Sequence, residues 1–347
     1  MVRRMYRGGM NIQRWYQVSA PTVDNRPEDW VCSVTEAQNA GLPPIVGEGL
    51  SYLADDQAVS LRDLVHNDPV GLLGRSHLDA WGKSLGLLVK VIDSADRLSI
   101  QVHPDKTFAR EFLASRFGKT EAWYVIDAQS VCDEPPYLLV GFKAGVTRQM
   151  WSQLFWEQRV PEMLDCLNRV TPSPGEVFLI EGGTPHAIGP GCFLVEAQEP
   201  TDFTFRAEWT APDGTRIDER LIHYGLGFER VLDCFHYDVP VEGHIVEREV
   251  LATKQGNTET ILLGAMHTDR FSMRELHVGT ELRCTSMGCF SSILVVAGSG
   301  AIEWEGGSVA CRPGDRFFLP HALEEFSAVN GSTDTEFRMI RCCPPQS

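Results

Sequence analysis

Two stretches of the sequence share one pattern: SPGEVFLIEGGTPHAI at residues 173–188 and RPGDRFFLPHALEEFSAV at residues 312–329. In each, a Pro-Gly-acid turn precedes an apolar, strand-like run, and a second turn follows the run. Strand-like sequence also precedes both stretches. An internal repeat of this kind predicts two structural units of the same type. We therefore expect two related β-barrels, one in each part of the chain.

The sequence around these stretches is also rich in strand signals. Beyond residue 172, short apolar or alternating runs are separated by turns that contain Gly, Pro or Asn; the runs read CFLVEAQ, DFTFRAEW, ETILLGAM, FSMREL, SSILVVAGSG and AIEWEG. This spacing predicts an antiparallel sandwich or barrel. A polar, irregular segment at 237–259 marks a domain boundary near residue 240. We therefore expect one domain at 1–240 and a second at 241–347.

Helix signals are concentrated in the first domain. Ser60 is a candidate N-cap for a short helix that Pro69 would close. Apolar residues recur near the helical period in the segment at about 104–118. The segment at about 147–170 predicts two helices broken near Pro161. These segments would form a small helical insertion in a mainly β domain, and little helix is expected beyond them.

The composition is that of an ordinary globular protein with an acidic surface. The 347 residues carry a net charge of −16 at pH 7, which argues against nucleic acid or an acidic membrane surface as a partner. No segment approaches the roughly 20 apolar residues of a membrane-spanning helix. The basic N-terminal arm lacks the apolar core of a secretion signal, and we expect it to be disordered or loosely docked. Ten scattered cysteines without a Cys-x-x-Cys pair favour reduced thiols and a cytoplasmic location.

A set of polar residues lies within the strand-like sequence of the first domain. If LSIQVHP is a strand, Ser99, Gln101 and His103 share one face of it. Glu121 begins the apolar run EAWYVIDA, and His186 follows the turn GGTP. Two imidazoles, one carboxylate and one amide oxygen suit Zn²⁺, Fe²⁺, Mn²⁺ or a similar divalent ion with open positions. The alternative is a hydrogen-bonded polar cluster in the mouth of a barrel.

Three motifs carry a resemblance to a known family. LSIQVHPD, GKTEAWYVIDA and GGTPHAIGPGCFLVEAQEPTDFTFR resemble the signature of the class I mannose-6-phosphate isomerases, which are zinc-dependent members of the cupin superfamily. The resemblance covers roughly residues 84–225. It implies two cupin-type jelly-roll β-barrels with a small helical insertion. It also implies one Zn²⁺ per chain, or another divalent ion, with the ligands Gln101, His103, Glu121 and His186. In the second barrel His321 lacks matching partners, so we expect that domain to be metal-free.

The resemblance also implies an activity and further site residues. Family members interconvert mannose-6-phosphate and fructose-6-phosphate through an enediol intermediate. The positions that line the substrate pocket are matched here by Ser99, Lys90 and Lys119, and the family's acidic pair and arginine are matched by Glu196, Asp202 and Arg206. Arg206 would stabilise developing negative charge. The sequence leaves the catalytic base open among Glu196, Asp202 and Lys119.

The sequence departs from the family pattern near the expected phosphate. Family members carry a basic residue shortly after the arginine, whereas this chain has Glu208, which alternation places on the face of Arg206. Arg216 or Arg220 could compensate, or Lys90 and Ser99 could hold the phosphate alone. An unphosphorylated sugar is therefore an alternative substrate. Another sugar epimerase or lyase activity, or a sugar-binding cupin without turnover, are further alternatives.

Overall fold

The structure, a computed structural model, describes residues 1–39, 42–56, 58–237, 245–254, 256–332 and 334–346, without the side chains of 252–254. The strands are, in chain order, β1 Glu28–Val31, β2 Leu88–Asp93, β3 Gln101–Val102, β4 Glu121–Ala128, β5 Leu138–Phe142, β6 Leu167–Val170, β7 Val177–Ile180, β8 His186–Ile188, β9 Cys192–Gln198, β10 Phe205–Arg206, β11 Glu249–Lys254, β12 Asn257–Leu263, β13 Ser272–Val278, β14 Glu281–Thr285, β15 Ser291–Ala297, β16 Gly300–Trp304, β17 Gly307–Cys311, β18 Arg316–Leu319, β19 Glu325–Asn330 and β20 Phe337–Cys343. The helices are α1 Asn11–Trp15, α2 Leu61–Asn67, α3 Pro69–Leu73, α4 Arg75–Trp81, α5 Lys106–Phe112, α6 Arg148–Glu157, α7 Val160–Asp165, α8 Glu219–His223 and α9 Phe228–Cys234.

The described strands form four antiparallel sheets. Sheet A has the order β1-β2-β9-β4-β7, and sheet B has the order β10-β3-β8-β5-β6. Sheet C has the order β11-β12-β13-β20-β15-β18, and sheet D has the order β14-β19-β16-β17. The expectation of a mainly β, antiparallel protein is therefore confirmed.

The sheets are stacked as layers because most of their faces are apolar. Trp123, Phe178 and Val140 belong to the core between sheets A and B. The opposite face of sheet A, which includes Tyr124, packs against sheet C, which includes Met273. Strand β4 separates these two cores by alternation, since successive side chains point to opposite faces of a sheet. A further core joins sheets C and D, and helices α5, α6, α7 and α9 cover the outer face of sheet B.

The helical predictions are confirmed with changes at their ends. Ser60 caps α2 in a capping box with Asp63, but Pro69 then opens α3 instead of ending the helical region, because proline fits the first helical turn. Helix α5 is shorter than the expected 104–118. The 147–170 segment contains α6 and α7 but ends in strand β6. The break lies at Gln158, which is left-handed at φ 49°, and Pro161 stands in the first turn of α7.

Two regions differ from the sequence expectation. Helices α8 and α9 lie beyond residue 172, where little helix was expected; both are short. The N-terminal arm is docked, since Val2 is buried and backbone N–H groups of Val2, Arg4 and Gly8 bond the segment before β1 and β1 itself. The expectation of a loose arm was wrong. The domain boundary placed near residue 240 falls on 238–244, outside the described residues.

No helix in the described ranges is both long enough and apolar enough to cross a membrane. All ten cysteines lie within those ranges, and all ten are free thiols.

Candidate metal centre and substrate pocket

Strand register brings the expected ligands to one end of the space between sheets A and B. Gln101 on β3 is the cross-strand partner of His186 on β8 and of Arg206 on β10. On sheet A, Glu121 on β4 pairs with Gln198 on β9. Cross-strand partners have side chains on the same face of a sheet. The set on sheet B and the pair on sheet A therefore point into the space between the two sheets.

His103, Glu121 and His186 form a buried cluster whose ligand atoms all lie within 4.8 Å of one another. The Nε2 atom of His103 lies 3.1 Å from Glu121 Oε2, and the Nε2 atom of His186 lies 3.4 Å from Glu121 Oε1. The side-chain amide of Gln101 lies 3.1 Å from His186 Nε2. The structure thus brings together the four residues that the resemblance implies as ligands.

Backbone carbonyls fix the orientation of both imidazoles. His103 donates from Nδ1 to the carbonyl of Phe203 at 2.8 Å, and His186 donates from Nδ1 to the carbonyl of Thr184 at 2.9 Å. Burial and the neighbouring Lys119 ammonium lower the pKa of His103 to about 3, so its ring is neutral at pH 7. A neutral ring that carries its proton on Nδ1 presents the Nε2 lone pair to the centre of the cluster.

This arrangement fits a divalent cation. The His103 Nε2 lone pair faces Glu121 Oε2, a buried oxygen that accepts no hydrogen bond among the described residues and has the Lys119 ammonium as its cationic neighbour. A divalent cation between the two groups would bind both and take the place of that ammonium. The Gln101 amide can turn its oxygen inward, because the two ends of an amide exchange by rotation. Two imidazole nitrogens, a carboxylate and an amide oxygen then form a mixed nitrogen and oxygen ligand set.

Lys119 connects this cluster to an adjoining pocket. Its Nζ lies 2.8 Å from His103 Nε2 and 3.3 Å from Glu121 Oε2. Burial lowers the pKa of Lys119. The adjoining pocket, called the site pocket below, is lined by Arg4, Met5, Tyr6, Glu28, Gln38, Asn39, Leu42, Lys90, Ile92, Leu98, Ser99, Gln101, Lys119, Glu196, Asp202, Thr204, Arg206, Ala211, Pro212, Ile217, Leu221 and Tyr224.

The charged residues of the site pocket are buried and mostly paired. Lys90 Nζ lies 3.0 Å from Glu196 Oε1, and these two residues are cross-strand partners on β2 and β9. Burial and the Glu121 carboxylate raise the pKa of Glu196. Burial opposes ionisation of Asp202 as well, but Arg4, Lys90 and Lys119 outweigh it and hold the pKa of Asp202 below its ordinary value.

Arg206 differs from the other cations of the pocket because, among the described residues, no carboxylate lies within ion-pair distance of it. Its guanidinium donates to the carbonyl of Leu221 at 2.6 Å and to that of Thr204 at 3.2 Å. Burial lowers its pKa, yet a guanidinium stays charged at neutral pH. Its charge is therefore available to a bound anion.

Comparisons with known proteins identify the family. The sequence-family model described as "Phosphomannose isomerase type I, catalytic domain" matches residues 47–124. The Bacillus subtilis protein named "Probable mannose-6-phosphate isomerase GmuF" is 30% identical over 249 residues, which are 71% of this chain and 72% of that protein. The chain belongs to the class I mannose-6-phosphate isomerase family. Mannose-6-phosphate isomerase of Streptococcus mutans is 28% identical over 265 residues, covering 74% of this chain and 77% of that protein.

Solved structures of family members share the fold of this chain. The mannose-6-phosphate isomerase from Bacillus subtilis superimposes with a TM-score of 0.74 at 21% identity, covering 98% of this chain and 96% of that one. A variant of phosphomannose isomerase from Salmonella typhimurium gives a TM-score of 0.73 at 17% identity, covering 100% of this chain and 98% of that one. At these identities the likeness shows the fold alone.

The structure corrects the expectation for Glu208 in this family member. Strand β10 ends at Arg206, so the alternation does not continue, and Glu208 does not line the site pocket. Glu208 is buried and binds Arg97 through two contacts of 2.6 and 3.0 Å, and it also accepts a 2.6 Å bond from the N–H of Ile100. Its charge is neutralised away from the substrate, so it does not repel an anion in the pocket.

The structure also places the two arginines that were expected to compensate. Arg220 is exposed, pairs with Asp218 at 2.8 Å and does not line the site pocket. Arg216 lines a second, adjoining cavity. In contrast, the site pocket is lined by Lys90, Ser99, Lys119, Glu196, Asp202 and Arg206.

Sequence reasoning missed the contribution of the N-terminal arm. Arg4 and Tyr6 line the site pocket together with Glu28. Tyr6 donates to Glu28 Oε1 at 2.9 Å. The basic composition of the arm was visible in the sequence, but nothing local indicated which carboxylates it would meet.

Proposed function

We propose that this protein is a divalent-metal-dependent isomerase that interconverts mannose-6-phosphate and fructose-6-phosphate. The observation that carries the proposal is the buried cluster of His103, Glu121 and His186, with Gln101, at the inner end of a pocket that contains Arg206. The family relationship supplies the reaction, and the site supplies groups that suit it. Zn²⁺, one per chain, is the ion we propose, because structural chemistry favours it for nitrogen and oxygen ligands with open positions.

The same proposal extends to the architecture. Sheets A and B would form a cupin-type jelly-roll barrel with a helical insertion, within residues 1–240. Sheets C and D would form a second, metal-free jelly roll, within residues 241–347. The order of the strands supports this division, since sheets A and B contain β1 to β10 and sheets C and D contain β11 to β20. The ten free thiols support a reducing compartment, and we place the enzyme in the cytoplasm.

The pocket residues have the chemistry that aldose–ketose isomerisation requires. The reaction moves a proton between C1 and C2 of the open-chain sugar, and negative charge develops on the sugar oxygens. A bound divalent ion would supply Lewis-acid stabilisation of that charge. Arg206 adds a fixed positive charge that no carboxylate in the described part of the chain neutralises. Lys90 and Ser99 line the same pocket and would position the substrate.

Among the candidate bases, Glu196 has the most suitable environment. A general base works best when its pKa approaches the working pH. The pKa of Glu196 is raised, whereas that of Asp202 is lowered by its cationic neighbours. Lys119 contacts two of the proposed metal ligands, which suits it to hold the site. We therefore assign proton transfer to Glu196 and orientation of the pocket to Asp202.

The experiment is a turnover assay on mannose-6-phosphate, fructose-6-phosphate, mannose and fructose, with metal content measured on the same samples. We expect about one divalent ion per chain and a preference for the phosphorylated sugar above roughly tenfold in kcat/KM, which is about 1.4 kcal/mol in transition-state binding. Turnover of mannose and fructose but not of their 6-phosphates would show that the substrate is an unphosphorylated sugar. Bound metal without turnover on any of the four would support a sugar-binding protein instead.

A further inference from the structure

The N-terminal arm reaches the site pocket along the edge of sheet A. Its backbone forms hydrogen bonds at several points. The Val2 N–H donates to the carbonyl of Glu28 at 2.6 Å, and the Gly8 N–H donates to the carbonyl of Asp24 at 2.7 Å. Arg4 lies between these points and bonds the carbonyl of Asn25. The Arg4 side chain is only 11% exposed and lines the site pocket. The arm is therefore a wall of the pocket.

Arg4 joins two pocket carboxylates that are distant in sequence. Its Nε donates to Glu28 Oε1 at 2.8 Å, and its two terminal nitrogens donate to Asp202 at 3.0 and 3.2 Å. A further bond of 3.1 Å goes to Asn39. Among the described residues these bonds use four of the five N–H groups of the guanidinium, which leaves one for a ligand oxygen.

The charge balance of the pocket depends on this arginine. Four cations line the pocket, namely Arg4, Lys90, Lys119 and Arg206, against three carboxylates, namely Glu28, Glu196 and Asp202. The formal charges of the lining residues therefore sum to +1, and to zero without Arg4; Glu121 and the metal it would bind lie beside this lining and are not part of the sum. Neither Arg216 nor Arg220 lines the pocket, so neither replaces it.

We propose that Arg4 is the specificity-determining residue that adapts this pocket to a phosphorylated sugar; the inference rests on the proposed function. Arg4 acts mainly by neutralising Asp202 and Glu28, whose charges would otherwise repel a dianion. Charge-assisted donors are what phosphate requires, and a guanidinium remains charged at every working pH. In this chain the cation comes from the N-terminus instead of the segment after Arg206.

The test compares Arg4→Gln with Arg3→Gln. Arg3 is the neighbouring residue on the same arm and forms an ion pair of the same kind, at 2.9 Å with Glu48, but it does not line the site pocket. Both changes remove one charge and the contacts of one arm side chain, which are to Glu28, Asp202 and Asn39 for Arg4 and to Glu48 and Pro43 for Arg3. We expect Arg4→Gln to lower the ratio of kcat/KM for mannose-6-phosphate to that for mannose by at least about tenfold, through KM. Arg3→Gln should change that ratio less than about threefold.

A binding measurement separates this inference from the proposed function. Inorganic phosphate is titrated calorimetrically into the metal-loaded protein and each variant. We expect Arg4→Gln to weaken phosphate binding about tenfold and Arg4→Lys to restore most of it. If the parent protein does not turn over mannose-6-phosphate, the proposed function fails, and the phosphate titration still decides the role of Arg4.

A double variant tests the charge balance directly and serves if Arg4→Gln does not fold. Arg4→Gln combined with Asp202→Asn removes one cation and one carboxylate, which returns the net charge of the lining to that of the parent. We expect its phosphate affinity to lie within about threefold of the parent value. Equal losses of phosphate affinity in Arg3→Gln and Arg4→Gln would show that Arg4 has a structural role only, and would overturn the inference. Unchanged phosphate affinity in Arg4→Gln, or no recovery in a folded double variant, would also overturn it.

Discussion

At the scale of single residues, the centre of the site is defined by which nitrogen of each imidazole carries the proton. His103 and His186 both donate from Nδ1 to a backbone carbonyl, so both present Nε2 to Glu121. The carbonyl partners come from the loop before β10 and the turn before β8. Backbone positions thus contribute to the orientation of both imidazoles.

The first prediction concerns the metal ligands. His103→Ala or His186→Ala should reduce bound metal from about one ion per chain to a small fraction, because each removes a neutral nitrogen ligand from a set of four. His66→Ala is the control, since His66 is exposed and lies outside the cluster. Elemental analysis of the purified proteins gives the answer. Retention of one ion in both cluster variants would refute the ligand assignment.

A second prediction concerns Arg206. Arg206→Lys should leave the fold intact and lower kcat by about 10²–10³-fold, the scale measured when one donor to a developing oxyanion is lost. Lysine keeps the charge but cannot reproduce the two carbonyl contacts that position the guanidinium. Metal content serves as the control and should not change. Turnover at the parent rate would show that Arg206 has a structural role only.

At the scale of elements, the arm and β1 are joined by an ion-pair network that depends on ionised carboxylates. Glu28 on β1 accepts from Arg4 and Tyr6 and also from Trp30, whose indole N–H lies 2.9 Å away. Burial opposes its charge, but Arg4 and Lys90 outweigh burial and lower the pKa of Glu28 to about 2. The docking of the arm is therefore linked to pH.

The third prediction follows from that linkage. Because the pKa of Glu28 is lower in the folded than in the unfolded state, its contribution to stability is present above about pH 4.5 and is lost as pH falls toward about 2. The contribution is at most about 3 kcal/mol. The measurement is urea unfolding of protein from which a chelator has removed the metal. Glu28→Gln should have a lower free energy of unfolding than the parent at pH 7, and the difference between the two should shrink in acid.

Glu36→Gln provides the matched control for this measurement. Glu36 is a half-exposed carboxylate, paired with Arg62 at 2.5 Å, and its loss should change stability by less than about 0.5 kcal/mol. A destabilisation by Glu28→Gln that stayed constant from pH 7 to pH 3 would contradict the linkage.

At the scale of the whole molecule, the second pair of sheets supports the sheet that carries the site. The face of sheet A opposite the pocket packs on sheet C, with Val89, Val195 and Ala197 in one core with Phe290 and Met273. Tyr124 on β4 also donates to Glu275 on β13 at 2.7 Å. Sheet A would expose this apolar face without its neighbour, so we expect the two parts to unfold together.

The fourth prediction tests that coupling in the full chain. Phe290→Ala, far from the pocket, should lower the free energy of unfolding by about 3–5 kcal/mol, since it removes a fully buried ring. Calorimetry should show one unfolding transition in the parent and one in the variant, at a lower temperature in the variant. The temperature at which metal is released should fall together with the unfolding temperature. Two transitions, with metal release unaffected by the substitution, would show that the parts are independent.

The sequence predicted which residues form the buried cluster better than it predicted their surroundings, for a physical reason. Alternation places Gln101 and His103 on one face of a strand-like run, and the family resemblance groups them with Glu121 and His186. Arg4 meets Asp202 across 198 positions, and no local periodicity encodes such a contact. The position of Glu208 was mispredicted because β10 has only two residues, so alternation could not be extrapolated past Arg206.

The most direct test of the central claim is a crystal structure of the metal-loaded protein with anomalous diffraction measured at the absorption edge of zinc. We expect one anomalous peak per chain, bound by Gln101, His103, Glu121 and His186, with Zn–N distances of about 2.0–2.1 Å. Lys119 should then have moved away from His103 Nε2. A peak bound by other residues, or a cluster that keeps the Lys119 contact without any peak in metal-loaded crystals, would contradict the proposed metal site.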